Sequence, residues 1–340
     1  NVTISLVSKS GGGAVREDID SVRFNAPLSF LSQNRVVTAD DYATIIKNNY
    51  SDAETVAVWG GEENEPPEYG KVYISVKPKS AETLTDVQKQ FIVDNILKTK
   101  NLVSITPEMV DPSYTYITLQ VFFKYDPNLT SLTSGELKQK VIDVVSSYNN
   151  TVLQKFDGVF RQSQLLSQID NSDPSILNST VRVYMQKRFV PTIGTAQKYE
   201  LEFSSPMYTT RSNEEIISST SFTLNGQTHY IEDYNDDGVI NHKLRIYRVV
   251  NNQKIITVLD AGYIEPNNGL FVLNSFNPEA YSGSYIEITA SPNSNDIAPK
   301  RNQLLQIDMN NVTVTPQIDT IATGGTVAGI GYETVPRHEG

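Results

Sequence analysis

Cysteine is absent from the 340 residues, which removes disulfides, thiolate nucleophiles and thiolate metal sites together and fits a reducing compartment or a particle assembled in one. Histidine is nearly as scarce. His229, His242 and His338 make up the whole supply, none has a partner at H-x-x-x-H spacing, and no G-x-S-x-G elbow accompanies them. Nucleophilic and metal catalysis are left with few candidates. The longest apolar stretches, such as 117–123 and 249–258, are interrupted by polar residues and fall well under the roughly 18 residues that span a bilayer, so no membrane segment is expected. Basic charge is in deficit: the net charge is -11 and the Lys and Arg residues are scattered singly, which repels phosphate backbones and argues against a nucleic-acid partner. The chain starts at Asn1 with neither an initiator methionine nor a basic-then-apolar leader, so a fragment or processed product is expected.

Apolar side chains are plentiful, at 39% of residues, enough to fill two or three cores without staples. Thr38 with Asp41, Thr85 with Gln88 and Thr133 with Glu136 have the spacing of capping boxes and predict three helix starts. Behind the first, Tyr42, Ile45 and Ile46 form a short apolar face. Behind the second, Val87, Phe91 and Ile92 are expected to face inward. Behind the third, Leu137, Val141, Val144, Tyr148 and Val152 keep three- and four-residue spacing. A shorter helix is expected over 162–169. Apolar alternation predicts strands at 55–59, 71–77, 115–123 and 181–186. From about Glu200 the helical period disappears. Short β-rich runs are then separated by Asn225-Gly226, Asp237-Gly238, Asn251-Asn252, Asn268-Gly269 and Ser282-Gly283, which mark hairpins. Leu304, Ile307, Val312 and Val314 suggest one more strand pair.

The expected fold class is α+β and multidomain. A lead-in segment with a glycine joint (1–33) precedes a mixed α/β unit (34–112). A split ferredoxin-like β-α-α-β unit (113–199) follows, the candidate dimerisation domain. An antiparallel β-rich unit (200–292) and closing strands with a glycine-rich tail (293–340) complete the chain.

Three constellations that could carry chemistry fall short of it. Asp233-Tyr234-Asn235-Asp236-Asp237-Gly238 matches the first half of a calcium loop, but position twelve is Leu244 and the flanks read as strands. Glu62, Glu63, Glu65 and Glu68 cluster in a Pro-interrupted loop, whereas a glycosidase presents two carboxyls from rigid walls. Gly11-Gly12-Gly13 and Thr323-Gly324-Gly325-Thr326 do not continue to Gly-Lys-Ser/Thr, so neither reads as a phosphate cradle. No catalytic residue, metal site or cofactor is expected. Trp59, the sole tryptophan, reads as core or interface.

The real excess is tyrosine, at 18 residues. Tyr114, Tyr116, Gln120, Phe122, Arg182, Tyr184 and Arg188 fall on the outward positions of the two strands of the split α/β unit. Aromatic and Arg side chains on such a face are what protein interfaces favour. The alternative is that a neighbouring domain of the same chain covers it.

The run Asn34-Arg35-Val36-Val37-Thr38-Ala39-Asp40-Asp41-Tyr42-Ala43, preceded by Gly11-Gly12-Gly13 and Ala26-Pro27, resembles the G-G … A-P … R-x-V-T-x-x-D-Y pattern of the baseplate J-like family, the wedge subunits of contractile phage tails. A second set, Phe222 to Gly226, Asp233 to Gly238, Leu270 to Phe276, Ser294 to Ile297 and Arg301 to Asp308, resembles the C-terminal half of the large T-even-type members. The resemblance covers most of the chain. It implies a structural subunit of the virion tail, assembled in the host cytoplasm, with an N-terminal half missing here. It also implies a ring built from dimers around the tail hub that rearranges on contraction. The implied partners are a second copy, other wedge subunits and hub or sheath-initiating proteins. The competing reading is a surface or carbohydrate-binding tail module using the β-rich unit.

Overall fold

The computed structural model describes residues 35–64, 66–102, 104–208, 216–235 and 242–320, with a few helical positions between 19 and 30. The Gly11 to Gly13 joint, the Asp237-Gly238 turn, the glycine-rich tail and His338 lie outside the described residues. The chain divides into two compact units, one ending at Ser113 and the other beginning at Tyr114.

In the first unit, helix α1 (Ala39–Asn49) starts at the expected capping box. The Thr38 hydroxyl accepts from the Asp41 amide, and the Asp41 carboxylate accepts from the Thr38 amide at 2.9 Å. Asp40 and Asp41 in the first turn and Lys47 in the last complement the helix dipole. Strands β1 (Ala53–Gly60) and β2 (Lys71–Pro78) pair antiparallel, with Val56 opposite Val76 and Trp59 opposite Tyr73. Helix α2 (Asp86–Phe91) opens on the Thr85–Gln88 capping box and continues as a π-turn over Ile92–Leu97. Strand β3 (Thr106–Val110), which no alternation announced, then pairs parallel with β2. Tyr42, Ile45, Ile46, Ile74, Val76, Ile92, Ile96 and Leu97 belong to one core. Val87 and Phe91 do not: they are 80% and 49% exposed, contrary to expectation. The buried stripe runs one position later, with Gln88 and Lys89 half-buried and Ile92, Ile96 and Leu97 buried.

The second unit opens with β4 (Ser113–Tyr125), followed by α3 (Ser134–Tyr148), whose Thr133–Glu136 capping box is complete. Leu137, Val141, Val145 and Tyr148 are its buried stripe, with Val144 only partly covered. After the two-residue β5 (Phe160–Arg161) come α4 (Gln162–Asp170) and β6 (Ile176–Phe189). The β-α-α-β order is therefore present, and β4 and β6 are direct antiparallel neighbours, with Ile117 opposite Met185 and Leu119 opposite Val183.

This pair is not a closed sheet. Beyond it lie β7 (Gln197–Glu202), β8 (Ile217–Ser219), β9 (Phe222–Leu224), β10 (Gln227–Tyr234), β11 (His242–Val250) and β12 (Gln253–Glu265). They are followed by β13 (Leu270–Phe276), β14 (Ala280–Tyr281), β15 (Ile286–Ala290), β16 (Asp296–Ile297), β17 (Gln303–Ile307) and β18 (Thr313–Ile318). The main sheet runs β17-β4-β6-β15-β8-β10-β11-β12-β13-β7, so β15 joins the α/β pair directly to the β-rich strands. β17 and β18 both attach to β4, the latter parallel, with Val314 opposite Val121. The architecture is thus mixed α+β and mostly β.

β6 and β7, far apart along this path, meet in an aromatic cluster. Phe189 of β6 lies 5.0 Å from Tyr199 of β7, and Phe276 of β13 lies 5.0 Å edge-on from Phe222 of β9. The hairpin turns fall where Asn and Gly announced them: Asn225, Asn251 and Asn252 all take positive φ, as two-residue β-hairpin turns require. Gly262 is needed for another reason, because a Cβ there would collide with the Val272 carbonyl of the neighbouring strand.

Candidate functional site: the outer face of the β4–β6 pair

The period of two along β4 sends Ile117, Leu119, Val121 and Phe123 to the core and Tyr116, Thr118, Gln120 and Phe122 to the other face. The observed register sets Tyr116 opposite Gln186, Thr118 opposite Tyr184 and Gln120 opposite Arg182. All seven interface candidates therefore share one face. Its two ends differ.

At one end the side chains are consumed inside the fold. Arg188 lies 3.7 Å over the Tyr116 ring and 4.6 Å from that of Tyr285, donates to Glu287 Oε1 at 2.9 Å and pairs with Asp308. Burial works against the guanidinium charge, yet Glu287 and Asp308 outweigh it and raise its pKa. Tyr116 is buried, and Tyr114 stacks on it at 6.1 Å. At the other end Gln120, Phe122, Arg182 and Tyr184 are half-buried, with Arg182 5.7 Å over the Phe122 ring. Between them, the cross-strand hydroxyls of Thr118 and Tyr184 are buried without a hydrogen-bond partner among the described residues. Such groups ordinarily meet a protein or water partner.

The other sequence candidates take structural positions. Asp233, first ligand of the half calcium loop, commits both oxygens: Oδ1 accepts from the amides of Ile216 and Ile217 at 2.6 and 2.7 Å, and Oδ2 contacts His242 Nδ1 at 2.7 Å. His242 Nε2 faces the Asn235 amide at 3.2 Å. This buried Asp–His–Asn set ties the start of β8 to the β10–β11 hairpin, a role that spacing along the sequence did not signal. His229 is buried in β10 between the Gln227 carbonyl and the Thr257 hydroxyl. In the first unit, Glu68 pairs with Lys71 at 2.6 Å and accepts from the Tyr73 hydroxyl at 2.8 Å, which holds its pKa down. A general acid would need the opposite shift. Glu62 and Glu63 line a cleft of about 340 Å³ with Trp59, whose ring stacks on Tyr73 and whose indole N–H donates to Asn64.

Residues 38–110 match the family model described as baseplate structural protein gp6, C-terminal domain I, and residues 113–188 match that of C-terminal domain III. A curated relative, baseplate wedge protein gp6 of Enterobacteria phage T4, is 25% identical over 285 residues, which is 84% of this chain and 41% of the relative. The chain thus spans about two fifths of the relative's length. The second match takes in β4 and most of β6, and so all seven candidate side chains, with Arg188 at its last position. Two adjacent domain matches and an alignment along most of the chain make this protein similar to the C-terminal regions of baseplate wedge proteins.

Proposed function

We propose that the chain is a structural segment of a contractile phage tail baseplate wedge, working in the virion by holding neighbouring proteins rather than by turning over a substrate. The observation that carries this is the pair of domain matches in tandem, covering 38–110 and 113–188. The physical character of the site agrees with it. The β4–β6 face offers half-buried Phe122, Arg182 and Tyr184 and unmet hydroxyls at Thr118 and Tyr184, in the style of a protein interface. Its occupants are a second copy of the chain and other wedge, hub or sheath-initiating subunits.

Cross-linking with mass spectrometry on assembled tails tests the assignment. Links from 113–189 to a second copy or to another baseplate protein are expected; absence of the chain from purified baseplates would overturn it. For the face itself, the double substitution Phe122→Ala and Tyr184→Ala should weaken self-association by about ten-fold or more, since aromatic anchors at interfaces typically carry about 2 kcal/mol. Sedimentation equal to the parent would move the interface elsewhere.

A further inference from the structure

The β11–β12 hairpin reaches beyond the core. All eight residues 253–260 are exposed, and Val249, Val250, Ile255, Ile256, Val258 and Leu259 are apolar side chains left at 37–59% exposure. Along this stretch β12 has β11 on one side, through Gln253 to Val258, while β13 takes up only Gly262 to Glu265. Among the described residues the outer edge of 253–260 has no neighbouring strand. A long apolar edge with unpaired backbone groups is a template for another strand, and a two-stranded ribbon is marginal by itself.

Side-chain order says which strand fits. Around Thr257 the sequence is self-complementary in the antiparallel sense: Ile256 matches Val258, Ile255 matches Leu259, and Lys254 matches Asp260. Two copies related by a two-fold axis through Thr257 would set aliphatic pairs against each other in the centre and opposite charges at both ends, the arrangement that cross-strand pairing rewards. A register shift relative to β11 falls at Thr257 and a second lies beyond Val258. Such bulges discourage a straight foreign strand. A second copy carries the same irregularity at the matching place, as an isologous interface requires. Lys254 contacts the buried carboxylate of Glu232, which it shares with Arg245, and its side chain stays 42% exposed at the end of the edge.

We propose that the outer edge of β12, centred on Thr257, is a self-association surface that pairs antiparallel with the same edge of a second copy. The inference rests on the self-association proposed above and assigns it a surface separate from the β4–β6 face.

Sedimentation equilibrium on the whole chain, the Asp260→Lys variant, the Lys254→Glu variant and an equimolar mixture of the two variants tests it. Asp260→Lys places like charges at both ends of the pairing and should weaken self-association on the order of ten-fold. Lys254→Glu should do the same, and the mixture should recover association, because each end again joins opposite charges. Circular dichroism of Asp260→Lys should match the parent, since Asp260 is an exposed side chain. Association of Asp260→Lys equal to the parent overturns the proposal; if Phe122→Ala with Tyr184→Ala then abolishes association, the β4–β6 reading survives alone. A parent that stays monomeric overturns both surfaces and leaves the baseplate assignment to the cross-linking of assembled tails. Cross-links from 253–260 solely to a different protein also overturn self-pairing.

Discussion

The β4–β6 pair and the β11–β12 hairpin are built from similar strings of β-branched and aliphatic residues, yet one is core and the other surface. Along β4, Ile117, Leu119 and Val121 are fully buried; along β12, Ile255, Ile256 and Val258 remain about two-fifths exposed. Composition does not separate them. Helices α3 and α4 place Leu137, Val141, Leu165 and Ile169 in the same core as β4 and β6, whereas the far part of the hairpin has no covering layer among the described residues. A strand is buried by what lies over it, and that layer is supplied from elsewhere in the sequence.

The largest expected effect tests the covered side of this contrast. Leu119→Ala should cost about 3 kcal/mol of unfolding free energy in denaturant titration, the range for a truncated, fully buried aliphatic side chain. A loss below about 1 kcal/mol would mean that the layer over β4 is loose. Asp233→Ala comes next. It leaves two backbone amides and the His242 ring without their acceptor inside the β-rich half, and a loss of about 2 to 3 kcal/mol is expected by the same titration. An effect that small surface changes produce would show that the Asp–His–Asn set does not hold β8.

Lys187 gives a pH test of the covered pair. Burial lowers its pKa to about 8, Glu202 opposing and Lys300 adding to the shift. The folded state then binds fewer protons than the unfolded chain between pH 8 and the ordinary lysine value near 10.4, so this residue's contribution makes stability rise with pH across that window. Below the folded pKa its charged form is fully penalised. Lys187→Met should therefore remove this rise, read as the difference in unfolding free energy between parent and variant at pH 7 and pH 10. A constant difference across that range would contradict it.

The smallest effect belongs to the hairpin. Val249→Ser should change unfolding free energy by no more than about 0.5 kcal/mol, as surface substitutions do. A loss comparable with Leu119→Ala would show that the hairpin is covered in the isolated chain, and would erase the contrast between the two regions.

Local chemistry made much of the fold legible. Three capping boxes, the alternation of β4 and β6 and the Asn-Gly hairpin turns depend on residues within a few positions of one another, and each appears where its spacing announced it. The same alternation brought all seven candidate interface residues to one face. It could not say that Arg188 and Tyr116 would be spent on Glu287, Asp308 and Tyr285, about a hundred residues onward. Nor could it reveal β3, whose parallel pairing with β2 leaves little alternation of its own. Val87 and Phe91 failed for a subtler reason: in so short a helix the period fits two neighbouring faces, and tertiary packing covered the one through Ile92 and Ile96.

The sequence by itself determined where helices begin, where hairpins turn and which side chains share a strand face, because those are fixed by torsion angles and hydrogen bonds between near neighbours. It also excluded thiolate chemistry through its lack of cysteine. Only the tertiary structure decided that β15 would join the α/β pair to the β-rich strands, that β18 would lie parallel to β4, and that Asp233 would be a buried anchor. Strand pairing between distant segments is chosen by which apolar faces can be covered together, and that competition is settled across the whole chain at once.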